Sequence, residues 1–562
     1  MFTDITPTAP GSEDPADSIS PSGERFAVPS PDQYAAEMAR LRTLAATSRA
    51  EGREVVVVMG LGFVGAVMAA IIADARDAQG RPTKFVIGCQ RPSARSYWKI
   101  PIINRGEPPV KAEDPEVAEI VARTVRQSQT LTATYHSDCL QLADVVVVDV
   151  QCDLVKPELG NVQAGTVDMD AFVSTVETIG DQIPPGCLVL IETTVAPGTT
   201  ELIAWPILKR AFERRGLDAV PLLAHSFERV MPGRHYVASI RDFWRVCAGC
   251  DRPARVRAEQ FLRQVLNTAE FELTVMDRPI ESETTKILEN TYRATVLALM
   301  DEWCLFAERT GVDLTKVIEA IRRRPTHSNI LFPGPGIGGY CLPKDGGLGY
   351  WAYGNVLGFD DGDQVFQLTP AAININDRRA LHAADLVAEA LAAMGTPVTD
   401  AAVLLCGASY RPDVADTRYS GSELVIRSLA DRGARMRVHD PYVTQWPELA
   451  DQENYPAPGL SWKRFFLNQE PLAQLLVEQD LGAALAGVDA MVLAVPHQPY
   501  LHLRPDQVVG WAGQPLAVVD CYGILSDHEI RRYLELGCAV RGLGRGHIRF
   551  IEQDVRQTRQ GG

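Results

Sequence analysis

The sequence predicts an α/β protein in which two doubly wound parallel sheets are joined by a long central helix and a small helical segment. Three observations carry this. Uninterrupted apolar runs of strand length, such as Val55-Val56-Val57-Val58, alternate with helix-length segments in two separate stretches, the pattern of parallel strands buried on both faces. A glycine-rich turn follows the first run at once. Between the two stretches, residues 281–309 read as one helix, with Ile287, Thr291, Ala294, Ala298 and Leu305 spaced along it. At 562 residues the chain exceeds a single core. The expected divisions are 1–50 for a tail and leading helix, 51–278 for the first α/β domain, 279–395 for the central helical domain and 396–562 for the second α/β domain.

Residues 1–30 are rich in Pro, Ser, Asp and Glu and poor in large apolar side chains, so a disordered tail is expected there. Tyr34, Met38, Leu41 and Leu44 then have helical spacing. After the strand ending at Met59 comes Gly60-Leu61-Gly62-Phe63-Val64-Gly65, followed by a helix of small residues. Between strand and helix, Gly60 makes the turn, Gly62 admits a pyrophosphate and Gly65 lets helix and strand pack, which points to a Rossmann-like dinucleotide-binding domain. The next strand, 84–88, ends on Cys89, Gln90 and Arg91 instead of the carboxylate that would bond both ribose hydroxyls of NAD. Gln90 is able to bond a hydroxyl and Arg91 to pair with a 2′-phosphate, which leaves NAD and NADP both open. A solvated loop arginine is the plainer role for Arg91.

Further strands are expected at 144–150, 187–191 and 220–224. Thr194 follows one strand end in Glu192-Thr193-Thr194, and Glu228 follows another in Ser226-Phe227-Glu228. Ligands of open α/β sheets bind beyond the carboxyl ends of the strands, so both are placed to meet a ligand, unless they merely cap the next helix. On the central helix Lys286 and Asn290 are four apart and share a face. The stretch Gly334-Pro335-Gly336-Ile337-Gly338-Gly339-Tyr340-Cys341 sets a thiol at the end of a glycine-rich loop, with Lys344 and Asp345 within one further turn. Little side-chain bulk there lets the backbone approach a ligand just before a nucleophile-capable group; a buried structural cysteine is the alternative.

The second α/β stretch has strands at 403–406, 435–439, 490–495 and 516–519 and a helix at 422–432. The turn after its first strand carries Arg411 and Arg418, seven apart, a sensible place for phosphate oxygens. Asp440 sits where a ribose-binding acid would sit, although Asp440-Pro441 is also a common turn opening. A net charge of −16 argues against nonspecific nucleic-acid binding. Eleven scattered cysteines and the absence of a basic, apolar leader point to a reducing cytoplasm. No apolar run is long enough for a membrane span, and the single C-x-x-C, Cys247 to Cys250, has no second pair to complete a metal site.

Together these residues resemble the nucleotide-sugar dehydrogenase family, whose members include UDP-glucose 6-dehydrogenase and the UDP-N-acetylhexosamine 6-dehydrogenases. The likeness runs from about Val55 to His547 and rests on residues 334–345, 283–293 and 192–200, with Tyr410, Arg411, Arg418 and His439-Asp440-Pro441-Tyr442 adding a C-terminal match. The resemblance implies a two-step, four-electron, NAD-dependent oxidation of the C6 hydroxymethyl of a UDP-sugar to a uronic acid. It assigns Cys341 as the nucleophile that forms a thiohemiacetal and then a thioester, its thiol pKa lowered by a nearby ammonium. By the same matching Lys286 stabilises oxyanions, Asn290 holds substrate beside it, Asp345 orients water, Glu228 assists water or proton movement and Thr194 positions that water and the nicotinamide. Arg293, Gly338 and Arg411 fall on substrate-binding positions, and Arg418 lies near the NAD pyrophosphate. A homodimer through the central helix is implied as well.

Several positions depart from the pattern: Gln90 for an aspartate, Phe227 for a proline, Arg411 for a lysine, and Cys152-Asp153 for Thr-Pro. The segment Glu228-Arg229-Val230-Met231-Pro232-Gly233-Arg234 favours the N-acetylhexosamine branch. Two other functions compete: a non-catalytic nucleotide-sugar-binding relative, motivated by Gln90 and Cys152-Asp153, and a single-step hydroxy-acid dehydrogenase, which leaves the cysteine loop and the second α/β domain unexplained.

Overall fold

The computed structural model describes residues 17–231, 233–339, 341–449 and 462–561. The chain divides into two compact units, one formed by residues 1–151, 172–193 and 203–279, the other by residues 152–171, 194–202 and 280–562.

In the first unit helix α1 (Tyr34–Ala50) buries Met38, Leu41 and Ala45. Eight strands follow in sequence: β1 (Glu54–Met59), β2 (Lys84–Cys89), β3 (Leu131–Thr134), β4 (Val145–Val148), β5 (Leu188–Ile191), β6 (Leu222–His225), β7 (Arg245–Gly249) and β8 (Leu273–Val275). Their order in the sheet is β8-β7-β6-β5-β4-β1-β2-β3, parallel throughout except for the β6/β7 pair. The first six strands thus give the 3-2-1-4-5-6 order of a dinucleotide-binding sheet, with its switch point between β1 and β4. All four residues of β4 are fully buried, which explains the unbroken valine run. Helix α2 (Phe63–Ala73) starts directly after the glycine turn.

The expected disordered tail falls partly on residues 1–16, which lie outside the described residues. Within the described part, Ser18–Ile19 pairs antiparallel with Arg25–Phe26. Ser18 is fully buried; its hydroxyl donates to Ala94 O at 2.8 Å and accepts from Trp98 N at 3.0 Å, which tethers this hairpin to the α/β core.

In the second unit α3 (Pro279–Thr310) is a helix of 32 residues, followed by α4 (Asp345–Asn355) and α5 (Leu368–Ala393). A six-stranded parallel sheet, β9 (Ala402–Cys406), β10 (Arg435–His439), β11 (Val477–Glu478), β12 (Ala490–Leu493), β13 (Ala517–Asp520) and β14 (Ala539–Gly542), is ordered β11-β10-β9-β12-β13-β14, again 3-2-1-4-5-6. Helix α6 (Gly421–Asp431) follows β9. A short hairpin pairs Asp153–Val155 with Thr166–Asp168, and its Leu154 joins Val162, Ala196, Ile287, Leu348 and Ile373 in an apolar cluster with α3, α4 and α5. Among the described residues no helix is long and apolar enough to cross a membrane.

Candidate active site

In the first unit the glycine turn is fixed by contact. Gly60 has φ +98°, and a Cβ on it would lie 2.4 Å from Asp149 O; one on Gly65 would lie 2.0 Å from Gly60 O. Any side chain at either position would break the close approach of turn, helix and β4. Gly62 is different: a Cβ there would meet nothing within 4 Å, so this face of the turn is open toward the start of α2. Open backbone at a helix N-terminus fits a pyrophosphate. Gln90 Oε1 accepts from Leu61 N at 2.9 Å and so props the turn. That contact engages the Oε1 of Gln90 and leaves its amide N–H groups as donors. Arg91 is exposed.

Beyond the carboxyl ends of β4, β5 and β6 lie three acids, Asp149, Glu192 and Glu228, and the buried Arg245. Arg245 pairs with Glu192. Asp149 Oδ2, Glu192 Oε2 and the Nε and Nη1 of Arg245 are buried with no hydrogen-bond partner among the described residues. Burial pushes the Asp149 carboxyl well above the usual carboxylate range; Glu192 and Glu228 act the same way and Arg245 opposes them. Burial raises Glu192 too, against the pull of Arg245. Such orphaned polar atoms beyond the carboxyl ends of the parallel strands fit a polar ligand. Glu228 is buried and accepts from Val230 N in its own turn. Sequence reasoning placed Glu228 here and missed Asp149, although Asp149 closes the valine run it flagged.

In the second unit α3 presents Glu283, Lys286 and Asn290 to its interior. Glu283 accepts from Gly198 N at 2.6 Å, Thr200 N at 2.8 Å and Thr200 Oγ1 at 2.6 Å, anchoring the loop that starts with half-buried Thr194. Burial pushes its carboxyl up to about 7, with the bonds from Thr200 and Gly198 acting downward. Lys286 is buried. Asn290 Nδ2 donates to Asp345 Oδ2 at 2.7 Å, and Lys344 Nζ to Asp345 Oδ1 at 3.1 Å, so the fully buried Asp345 is gripped on both oxygens. Asp345 N and Lys344 N donate to Cys341 O at 3.0 and 3.1 Å, which winds the cysteine into the turn that opens α4. Cys341 is half-buried, unlike most of the other cysteines; Cys247 sits inside β7. Arg293 projects from α3 as an exposed residue.

The glycines of the cysteine loop have a different use from the one expected. A Cβ on Gly334 would lie 2.7 Å from the Tyr522 ring, one on Gly336 2.6 Å from Gly421 Cα, and one on Gly338 (φ +50°) 2.6 Å from Tyr410 Cβ. These glycines admit the C-terminal half of the same chain. Gly339 N donates to Arg418 O at 3.0 Å, which adds a backbone tie. Tyr340 lies outside the described residues. Beside this loop Arg411 is half-buried, and burial pushes the neighbouring Tyr410 phenol up to about 12. The Arg418 fork closes on Asp416, at 2.9 Å for Nε and 2.6 Å for Nη2. Asp440 is no ribose acid: fully buried, it accepts from Ala408 N, Ser409 N, Tyr442 N and Val443 N and faces His497 Nε2 at 3.2 Å. The turn-opening role accounts for it.

Two Rossmann-like sheets, a glycine turn open to a pyrophosphate and a cysteine–aspartate turn under α3 define a nucleotide-binding dehydrogenase. Three stretches match the UDP-glucose/GDP-mannose dehydrogenase family: its NAD binding domain at residues 54–265, its central domain at 280–377 and its UDP binding domain at 404–527. The chain belongs to the UDP-glucose/GDP-mannose dehydrogenase family. It is 26% identical over 465 residues to a UDP-N-acetyl-D-mannosamine dehydrogenase of Yersinia pestis, covering 81% of this chain and 96% of that one. A protein of the same name from Pyrococcus horikoshii is 26% identical over 381 residues, 68% of this chain and 78% of that one. Among solved structures, the NDP-N-acetyl-D-galactosaminuronic acid dehydrogenase of Methanosarcina mazei Go1 superposes with a TM-score of 0.69 at 26% identity, covering 91% of this chain and 98% of that one. The UDP-D-ManNAc dehydrogenase of Pyrococcus horikoshii superposes at 0.68 with 25% identity, covering 88% and 100%. The family's NAD binding domain makes the cofactor a nicotinamide dinucleotide, and its UDP binding domain makes the substrate a UDP-sugar.

Proposed function

We propose that this protein oxidises the C6 hydroxymethyl of a UDP-N-acetylhexosamine to the uronic acid in two NAD-dependent steps, through a thiohemiacetal and a thioester on Cys341. The observation that carries the proposal is the turn in which Asp345 N bonds Cys341 O while Asn290 and Lys344 hold both oxygens of Asp345. A thiol and a carboxyl are presented together, which a single-step dehydrogenase has no use for. Bound NAD would supply the hydride acceptor; Gly60, Gly62 and Gly65 would hold it, Gln90 and Arg91 would serve its ribose, and Thr194 and Arg418 are assigned to it by motif.

The thiolate of Cys341 adds to the aldehyde carbon left by the first oxidation, and the aldehyde oxygen becomes an oxyanion that Lys286 and Asn290 stabilise. Oxidation of this thiohemiacetal leaves a thioester. Water then bonds the acyl carbon and gives its proton to Asp345, with Glu228 and Thr194 assisting by motif; the C–S bond breaks and sulfur leaves as thiolate. Arg411, Arg293 and Gly338 are assigned to the substrate. The N-acetylhexosamine preference is supported by the 228–234 segment and by the names of the related dehydrogenases. Turnover with a panel of UDP- and GDP-sugars, each with NAD or NADP, tests the proposal. Two reduced cofactors per uronate formed support it, and one per product or none sinks it.

The same reading includes a cytoplasmic homodimer. Leu288, Tyr292, Leu299, Trp303 and Phe306 lie along one face of α3 and are 63, 57, 47, 48 and 50% exposed. An apolar stripe of this length fits a second copy of α3.

A further inference from the structure

The hairpin of Asp153–Val155 and Thr166–Asp168 begins where the family's Thr-Pro is replaced by Cys152-Asp153, and it touches the segment after Cys341 at three points. Lys156 Nζ reaches Pro343 O at 3.4 Å while pairing with the Asp377 carboxylate at 2.6 and 2.7 Å. Asp153 Oδ1 lies 3.8 Å from Lys344 Nζ, and the same ammonium lies 3.5 Å from Cys152 O. Leu154 and Val162 press on Gly347, where a Cβ would meet each at 2.7 Å. The hairpin thus braces residues 343–347 along one side.

We infer that Asp153 is a positioning residue for release of the acid, acting through Lys344 to hold Asp345 in its working orientation; this rests on the two-step reading above. Lys344 is 4% exposed; its Nζ donates to Asp345 Oδ1 and Cys152 O and forms a longer ion pair, at 3.8 Å, with the Asp153 carboxylate. Asp345 is held on its other oxygen by Asn290. An ammonium shared between two acids stays where both place it. With Asp153 neutralised, one of the two acids described beside the Lys344 ammonium is lost, and the ammonium is drawn toward the other, Asp345. The carboxylate then turns from its alignment with Asn290, and with it the oxygen that must take a proton from the attacking water. Hydride transfer draws on Lys286, Asn290 and Cys341, and the first two keep their places on α3 when the Asp345 carboxylate turns. The two stages should therefore separate.

The test is Asp153→Asn in the full-length enzyme, with stopped-flow detection of reduced cofactor and acid-quench mass spectrometry of Cys341. The expected result is a burst of both hydride equivalents at the wild-type rate, steady-state turnover lowered about 10-fold, an acyl adduct accumulating on Cys341, and KM for the UDP-sugar changed less than about 2-fold. Asp153→Glu should restore most of the turnover. If Asp153→Asn does not fold, Asp153→Ser is read in the same way. Wild-type turnover without adduct, or a burst and turnover that fall together with Tm, overturns the inference. A wild-type enzyme that releases acid with no acyl adduct ever forming on Cys341 overturns the two-step reading and the inference with it.

Discussion

Asn290 Nδ2 donates to Asp345 Oδ2 at 2.7 Å, tying the middle of α3 to the first residue of α4. Asp345 is fully buried, so each of its oxygens depends on a protein donor. Asn290→Ala leaves Oδ2 without one and removes a group assigned to the oxyanion. We expect kcat to fall roughly 100-fold, a loss typical of one positioned polar group in an active site, with the fold kept. Steady-state kinetics with a circular dichroism control checks it. A decrease under about 3-fold would remove Asn290 from the machinery.

Cys341→Ser keeps the turn, because the backbone oxygen that accepts from Lys344 N and Asp345 N is untouched. Its hydroxyl is a far weaker nucleophile at neutral pH than a thiolate. The variant should bind UDP-sugar with the wild-type Kd, measured by calorimetry, and form no uronate. Uronate at the normal rate would eliminate the covalent mechanism.

Both sheets were legible because parallel strands buried on both faces leave unbroken apolar runs, and the helix read at 281–309 is Pro279–Thr310. The glycine turn was legible because strand, glycine turn and small-residue helix follow one another directly in the chain, although Asp149, against which Gly60 packs, lies on a distant strand end. The glycines at 334, 336 and 338 were read as room for a ligand, yet they make room for Tyr522, Gly421 and Tyr410, partners 72 or more positions away that no local pattern announces. For Asp440 both a ribose role and a turn opening were open in the sequence; its bonds from Tyr442 N and Val443 N are the local turn, while those from Ala408 N and Ser409 N come from the neighbouring loop. The hairpin begun by Asp153 is two three-residue strands, too short for a periodic signal. Asp153 was visible only as a departure from a motif, and its partner Lys344 only as a neighbour of Asp345.

Cofactor choice should respond to position 90. Gln90 Oε1 accepts from Leu61 N, and its amide N–H groups are the donors proposed for a ribose. In Gln90→Asp one carboxylate oxygen takes over the Leu61 bond and the other accepts from ribose hydroxyls, while its charge repels a 2′-phosphate. The ratio of kcat/KM for NADP to that for NAD should fall at least about 10-fold, equivalent to roughly 1.4 kcal/mol. Paired initial-rate measurements decide this. An unchanged ratio would mean that Gln90 does not face the ribose.

Glu283 predicts a pH dependence of stability. Burial raises its carboxyl from 4.5 to about 7 in the folded state. A folded pKa above the unfolded one gives stability that is complete below about 4.5 and lost as pH rises through about 7. The fully exposed reference is ionised across that window, so the native state pays up to about 3 kcal/mol, at about 1.4 kcal/mol per pH unit. Glu283→Gln abolishes this titration. The decrease in Tm between pH 5 and pH 8 should be smaller in the variant than in wild type; equal decreases would refute the assignment.

The exposed stripe on α3 predicts an oligomer. Trp303 and Phe306 pack edge to face at 5.1 Å and remain about half exposed, and Leu299 lies one turn before them. Large aromatic side chains grouped on one helix face are typical anchors of an interface core, where truncation commonly costs 2 kcal/mol or more. A two-fold interface uses each residue twice, so Trp303→Asp places two buried charges in a dimer and none in a monomer. Light scattering should give a wild-type mass near twice 61.5 kDa and a monomeric mass for the variant. Because Trp303 lies outside the core of its own chain, the variant's Tm at high dilution should match that of dissociated wild type. A variant that remains a dimer would place the interface on another surface.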